Sequence, residues 1–120
     1  MTVDIDQAED TILGILPELI SLEGAINTMG EYLIFDSIVT NEAHIGDIDY
    51  VFKLYIAVNS RTDDKRLAYQ PINDALTALL NDWATNQKVA IGRSKPYSVK
   101  GLIVYEIPLI VQGFEHVEHC

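Results

Sequence analysis

Lysine and arginine are missing from the first 52 residues, although that stretch holds eleven of the chain's eighteen carboxylates. All eight basic residues fall in the remaining 68, beside the other seven acids. The net charge of -10 therefore divides into about -11 and about +1. A pI near 4.4 excludes a nucleic-acid binder that works by neutralising phosphates, and makes an anionic membrane surface a poor partner. Cysteine is nearly absent. The single thiol, Cys120, rules out an internal disulfide and points to intracellular synthesis. There is no run of about 20 apolar residues, so no transmembrane helix is expected. The opening Met1-Thr2-Val3-Asp4-Ile5-Asp6 lacks the basic start and apolar run of a signal peptide. Glycine-rich phosphate loops are also missing.

What is present is enough for a core. Hydrophobic residues make up 48% of 120 positions and are spread along the chain, a pattern that excludes disorder and fits one domain over residues 1–120. A chain of this size buries roughly two-thirds of the surface that its unfolded form exposes.

The periodicity predicts a helix over Asp6 to Leu16, with Ala8, Ile12, Ile15 and Leu16 on one face, Asp6 as N-cap and Glu9 completing the box. Gly14 and Pro17 limit it. The connector Pro17 to Gly30 has room for a short helical piece around Leu19 to Leu22. Tyr32 to Val39 and Tyr50 to Val58 read as an antiparallel hairpin, joined by a polar turn over Asn41 to Asp49. Tyr50, Phe52, Leu54, Ile56 and Val58 share one face of the second strand. After a polar loop, Arg66 to Trp83 forms the main helix, with a leading turn from about Asp64 that accommodates Pro71. Val89 to Ile91 reads as a short strand, followed by an exposed basic loop to Gly101. Leu102 to Gln112 is the last strand, and its Pro108 points to an edge position or a bulge. The expected fold is α+β: a mostly antiparallel four-stranded sheet with two helices packed on one face.

No residue pattern specifies a reaction. The tail Glu115, His116, Glu118, His119 and Cys120 carries zinc-ligand types, but a terminus is seldom a preorganised site, and a solvated tail is the better reading. His44 lacks a positioned partner for acid/base work. Glu118 and a terminal carboxylate beside Cys120 disfavour its thiolate. Asp47 and Asp49 form too short a run of oxygen ligands for a calcium loop and read as a solvated turn. Asp63-Asp64-Lys65-Arg66 reads as the cap of the main helix. The basic group Lys88, Arg93, Lys95 and Lys100 leaves two readings of equal weight: an ordinary solvated loop, or a contact arm for an acidic surface, including the acidic half of another copy.

Over nearly its whole length the chain resembles a family of small phage proteins, the tail terminators and related neck proteins of Mu-like and other long-tailed phages. The stretches that carry the resemblance are Asp6-Gln7-Ala8-Glu9-Asp10-Thr11-Ile12 ending near Leu16-Pro17, the strand Tyr50 to Val58 with its polar loop, Ala68-Tyr69 through Asp74-Ala75-Leu76-Thr77-Ala78-Leu79-Leu80, and Val104-Tyr105-Glu106-Ile107-Pro108-Leu109. The match is one of order, spacing and character. The long acidic first half and the histidine-bearing tail depart from it.

The resemblance implies a structural virion protein of the tail-neck region, assembled in the host cytoplasm. It implies a homo-oligomeric ring, six-membered in the family, that caps the tail tube, ends tail polymerisation and meets the neck or connector and, in contractile tails, the sheath. No catalytic residue, metal or cofactor is needed, and DNA passes through without specific binding. On this reading, acids among Glu31, Asp36, Glu42, Asp47 and Asp49 face the channel or a neighbour. Arg61, Lys65 and Arg66, or the group Lys88, Arg93, Lys95 and Lys100, meet an adjacent copy or the tube. A neck adaptor or head-completion protein is the alternative. A small ligand-binding domain or enzyme would need a pocket with convergent polar groups, and a bare interaction module would form no ring.

Overall fold

In the computed structural model the described residues are 4–21, 26, 28–40, 47–59, 65–99 and 101–114. Helix α1 (Ile5–Ile15) is followed by strands β1 (Ile20–Ser21), β2 (Gly30–Thr40) and β3 (Asp47–Asn59). Helix α2 (Lys65–Asn86) then leads to β4 (Val89–Ile91), β5 (Lys95–Val99) and β6 (Leu102–Phe114). The fold is α+β, but its sheet has six strands and is mixed. The order is β1-β2-β3-β6-β4, with β5 also paired to β6.

The centre of the sheet is the pair β3–β6, antiparallel and in unbroken register from Asp47↔Phe114 to Asn59↔Leu102. Alternation decides which side is buried. Ile48, Tyr50, Phe52, Leu54 and Ile56 on β3 and Ile107, Leu109 and Val111 on β6 point into one core. That core also takes Ala8, Ile12, Leu16 and Leu19 from α1 and its exit, and Ile72, Ala75 and Leu79 from α2, so both helices cover the same face. Phe52 and Leu54 are fully enclosed, and burying each contributes roughly 1.5–3 kcal/mol.

The helix boundaries follow from capping and from tertiary contacts. Asp4, rather than Asp6, caps α1: its Oδ1 accepts the Gln7 N–H at 2.9 Å. The Asp4 N–H donates to the Tyr50 hydroxyl at 3.0 Å, tying the helix start to β3. Helix α2 continues past Trp83 to Asn86 and accommodates Pro71 internally. Pro71 lacks the N–H that would pair with the Leu67 carbonyl.

Four sequence expectations are corrected. The sheet is mostly antiparallel, as expected, but it has six strands and not four, and β1 adds a parallel edge, Ile20↔Tyr32 and Ser21↔Leu33, where a helical piece was expected. The basic loop contains β5, which pairs antiparallel with β6 from Lys95↔Glu106 to Val99↔Leu102. The turn expected to reach Asp49 gives way to strand at Asp47, so Asp47 and Asp49 belong to β3. Pro108 lies on neither an edge strand nor a bulge: β6 runs between β3 and the β4/β5 edge. Its carbonyl accepts the Gly92 N–H at 2.8 Å. The N and C=O of one strand residue point the same way, so the missing N–H of Pro108 faces Gly92. The reciprocal bond that would carry the ladder past Ile91 cannot form, which accounts for the break between β4 and β5.

Candidate functional site

The uncovered face of the sheet carries the polar chemistry. Registers align cross-strand rows on it: Tyr32, Tyr55, Glu106 and Lys95 run across β2, β3, β6 and β5, and the next row holds Ile34, Lys53 and Pro108. Lys53 Nζ lies 3.6 Å from Glu106 Oε1 and 3.7 Å from Asp36 Oδ1. The Tyr55 hydroxyl donates to Glu106 Oε2 at 3.2 Å. A smaller apolar cluster of Tyr32, Ala57, Leu102 and Val104, with Ile26 packed against it, closes one end of this face.

Beside that network β4 stops at Ile91 and β5 starts at Lys95, and the break opens a depression of about 280 Å³ lined by Arg93, Lys95, Glu106 and Pro108. Gly92 permits the close approach that shapes it. A Cβ there would stand 3.0 Å from the Pro108 Cβ, a tight contact that the proline ring would have to yield to. Arg93 and Lys95 are exposed, and among the described residues neither is within ion-pairing distance of a carboxylate.

Of the basic residues singled out from the sequence, the structure brings Lys88, Arg93 and Lys95 to the β4/β5 edge, all exposed. Lys65 and Arg66 open α2, on a different element, and Arg61 and Lys100 lie outside the described residues. The acids are not gathered on one face. Glu31 pairs with Ile56 and so shares the helix-covered face. Burial, and next the nearby Glu18 and Asp74 carboxylates, push its carboxyl above the usual range. Asp36 and Asp49 belong to the open face, Asp47 pairs with Phe114, and Glu42 lies outside the described residues. His44 and the tail Glu115, His116, Glu118, His119 and Cys120 also lie outside them. Among the described residues no cluster of His, Cys, Asp or Glu is arranged to hold a metal, and no helix is long and apolar enough to cross a membrane.

Sequence reasoning missed Lys53, Glu106 and Asp36 as a unit. The available signal was the placement of Lys53 and Glu106 as lone charges within otherwise apolar strands, which asks for a partner.

The sheet order turns the charge division of the sequence into a spatial one. The acid-only segment supplies β1 and β2 at one edge, with Glu31 and Asp36 on β2. Residues 83–105, with four cations and no acid, supply β4 and β5 at the other. The sequence matches no known family model and no curated protein.

Proposed function

We propose that this chain is a structural, non-enzymatic subunit of a long-tailed phage particle, a tail terminator that assembles into a ring, caps the tail tube and presents a surface to the neck. The observation that carries this reading is the placement of acidic and basic segments at opposite edges of one sheet. A ring is built from head-to-tail contacts in which one patch meets a different patch on the next copy. Two edges of opposite charge on one rigid sheet are suited to that contact. The α+β fold, with a long β2–β3 hairpin, a long helix and a closing strand, is consistent with the family resemblance of the sequence.

In this reading the assembly does its work by contact and by field. The ring ends tube growth by occupying the last free tube surface. The net charge of -10 per copy gives the ring a negative field that repels the DNA backbone, so DNA slides through without sticking. Positions in the ring would be the tail-neck region of the virion, with tube and connector proteins as partners and the sheath as a further partner in a contractile tail.

The test is electron microscopy of lysates from a host carrying the phage with this gene deleted. Overlong or irregular tails beside unjoined heads are expected. Tails of normal length left unattached would reassign the chain to a neck adaptor, and intact infectious particles would overturn the reading.

A further inference from the structure

The two edges of the sheet differ in shape as well as in charge, and the differences are complementary. At the acidic edge, β1 covers β2 only at Tyr32 and Leu33, and among the described residues no strand pairs with β2 from Ile34 to Thr40 on that side. An uncovered strand edge presents main-chain N–H and C=O groups to another strand. The register of β2 against β3 shifts between Phe35 and Ser37, so Asp36 is bulged. Its carboxylate is 40% exposed, and Phe35 and Val39 beside it are 38% and 50% exposed. At the basic edge the feature is inverted, a break between β4 and β5 that opens the depression bordered by Arg93 and Lys95.

The bulge and the break are offset by only about two residues along the strands. Ile34 is opposite Lys53, Lys53 is opposite Pro108, and the Pro108 carbonyl accepts from Gly92 in the break. Asp36 lies two residues beyond Ile34, between the rows of Phe52 and Val51 that lead across Leu109 and Ile110 to the end of β4. It therefore sits about two residues from the depression along the strands, on the same open face. Direction agrees too. Each neighbour in the series β2, β3, β6, β4 is antiparallel to the last, so β2 and β4 run in opposite senses. A second copy in the same orientation, set beside the first, would place its β2 antiparallel to the β4/β5 edge of the first, and a slide of about two residues along the strand axis would bring Asp36 to the break.

We propose that the occupant of each edge is a second copy of this chain, with the acidic bulge at Asp36 seated in the basic break at Arg93 and Lys95 of its neighbour. The contact joins the sheets edge to edge and leaves their open faces on one continuous surface. It deepens the ring reading by naming the interface, and it rests on that reading only for the closure of the repeat.

A charge exchange tests it. Sedimentation or light scattering would follow self-association of the wild type, of the double variant Arg93→Glu/Lys95→Glu, of Asp36→Lys, and of the two variants mixed. Each variant alone faces like charges across the contact and should associate at least about tenfold more weakly than the wild type. The mixture should recover, because each variant then meets an opposite charge on the other. Circular dichroism separates loss of contact from loss of fold. If Asp36→Lys fails to fold, a disulfide trap between Asp36→Cys and Arg93→Cys in a Cys120→Ser background replaces it, with an oligomer ladder as the expected result. Wild-type association by folded variants, or oligomers without a ladder, would overturn the edge contact and leave the ring reading standing. A chain that stays monomeric and untrapped at every concentration would overturn the edge contact as well, while the deletion phenotype judges the ring reading separately.

Discussion

Lys53 Nζ stands 3.6 Å from Glu106 Oε1, and this contact joins the two central strands across the face that the helices leave open. The same ammonium reaches Asp36 at 3.7 Å, so one cation ties β2, β3 and β6 together. Glu106 is the least exposed member, at 13%, and it also takes the Tyr55 hydroxyl. Removing the cation leaves a mostly enclosed carboxylate with one neutral donor. Lys53→Met should therefore cost about 1–3 kcal/mol. Glu106→Gln keeps an acceptor for Tyr55 and should cost less. Urea denaturation of both single variants and the double variant checks this, since a coupling energy near zero would mean that the contact carries no stability.

Glu31 makes stability depend on pH in the direction opposite to most carboxylates. Burial raises its folded pKa above the ordinary 4.5, with Glu18 and Asp74 adding to the shift. Between 4.5 and the raised value the folded chain holds the proton more tightly than the unfolded chain does. Stability from this group is thus gained as pH falls through that window, and its cost is fully present above the folded pKa. Glu31→Gln should raise the melting temperature at neutral pH, and the advantage should fade as pH falls and vanish below 4.5. Melting curves across that range would detect it, and a pH-independent difference would assign the effect to packing.

The elements that could be read from the sequence are those whose pattern is set by one buried face. In β3, Tyr50, Phe52, Leu54 and Ile56 alternate because the helices cover only one side. In α2, Ile72, Ala75 and Leu79 recur because only one stripe meets the sheet. The elements that were not legible owe their conformation to a partner. Lys95 to Val99 has the polar, proline-bearing composition of a loop, and it is a strand because β6 offers an unpaired edge. Ile20 and Ser21 are a strand only through a parallel pairing with β2. Asp4 and Asp6 are equivalent as caps on local grounds, and the Tyr50 hydroxyl, 46 residues away, favours Asp4. The candidate site follows the same division. Separated charge could be read directly, whereas the meeting of Lys53, Glu106 and Asp36 required the register of three strands.

Gly30 begins β2 at φ +154°, and a Cβ on it would lie 3.1 Å from both Cζ and the hydroxyl oxygen of Tyr32. That ring cannot move aside freely, because its hydroxyl is 2.8 Å from the Thr28 hydroxyl and donates to the Thr28 carbonyl at 3.0 Å. Gly30→Ala combines an unfavourable backbone with a crowded side chain and should cost about 1–3 kcal/mol. A lower urea midpoint with an unchanged slope would be the signature of a native-state effect.

Gln87 ends α2 with φ +52°, the chain's non-glycine residue at positive φ among the described residues. Its N–H still donates to the Trp83 carbonyl at 3.1 Å, so the left-handed turn closes the helix while keeping the last bond. Glutamine is strained there, because its Cβ crowds the following carbonyl, by about 1–2 kcal/mol. Glycine removes that strain but gives the unfolded chain more freedom, which offsets part of the gain. Gln87→Gly should therefore stabilise the fold by about 0.5–1 kcal/mol, raising the melting temperature by a few degrees. Gln87→Val should do the reverse, since a β-branched residue resists positive φ most strongly. Gln87 is exposed, so neither change disturbs the core, and an equal effect of the two substitutions would show that the backbone angle is not what limits stability at this turn.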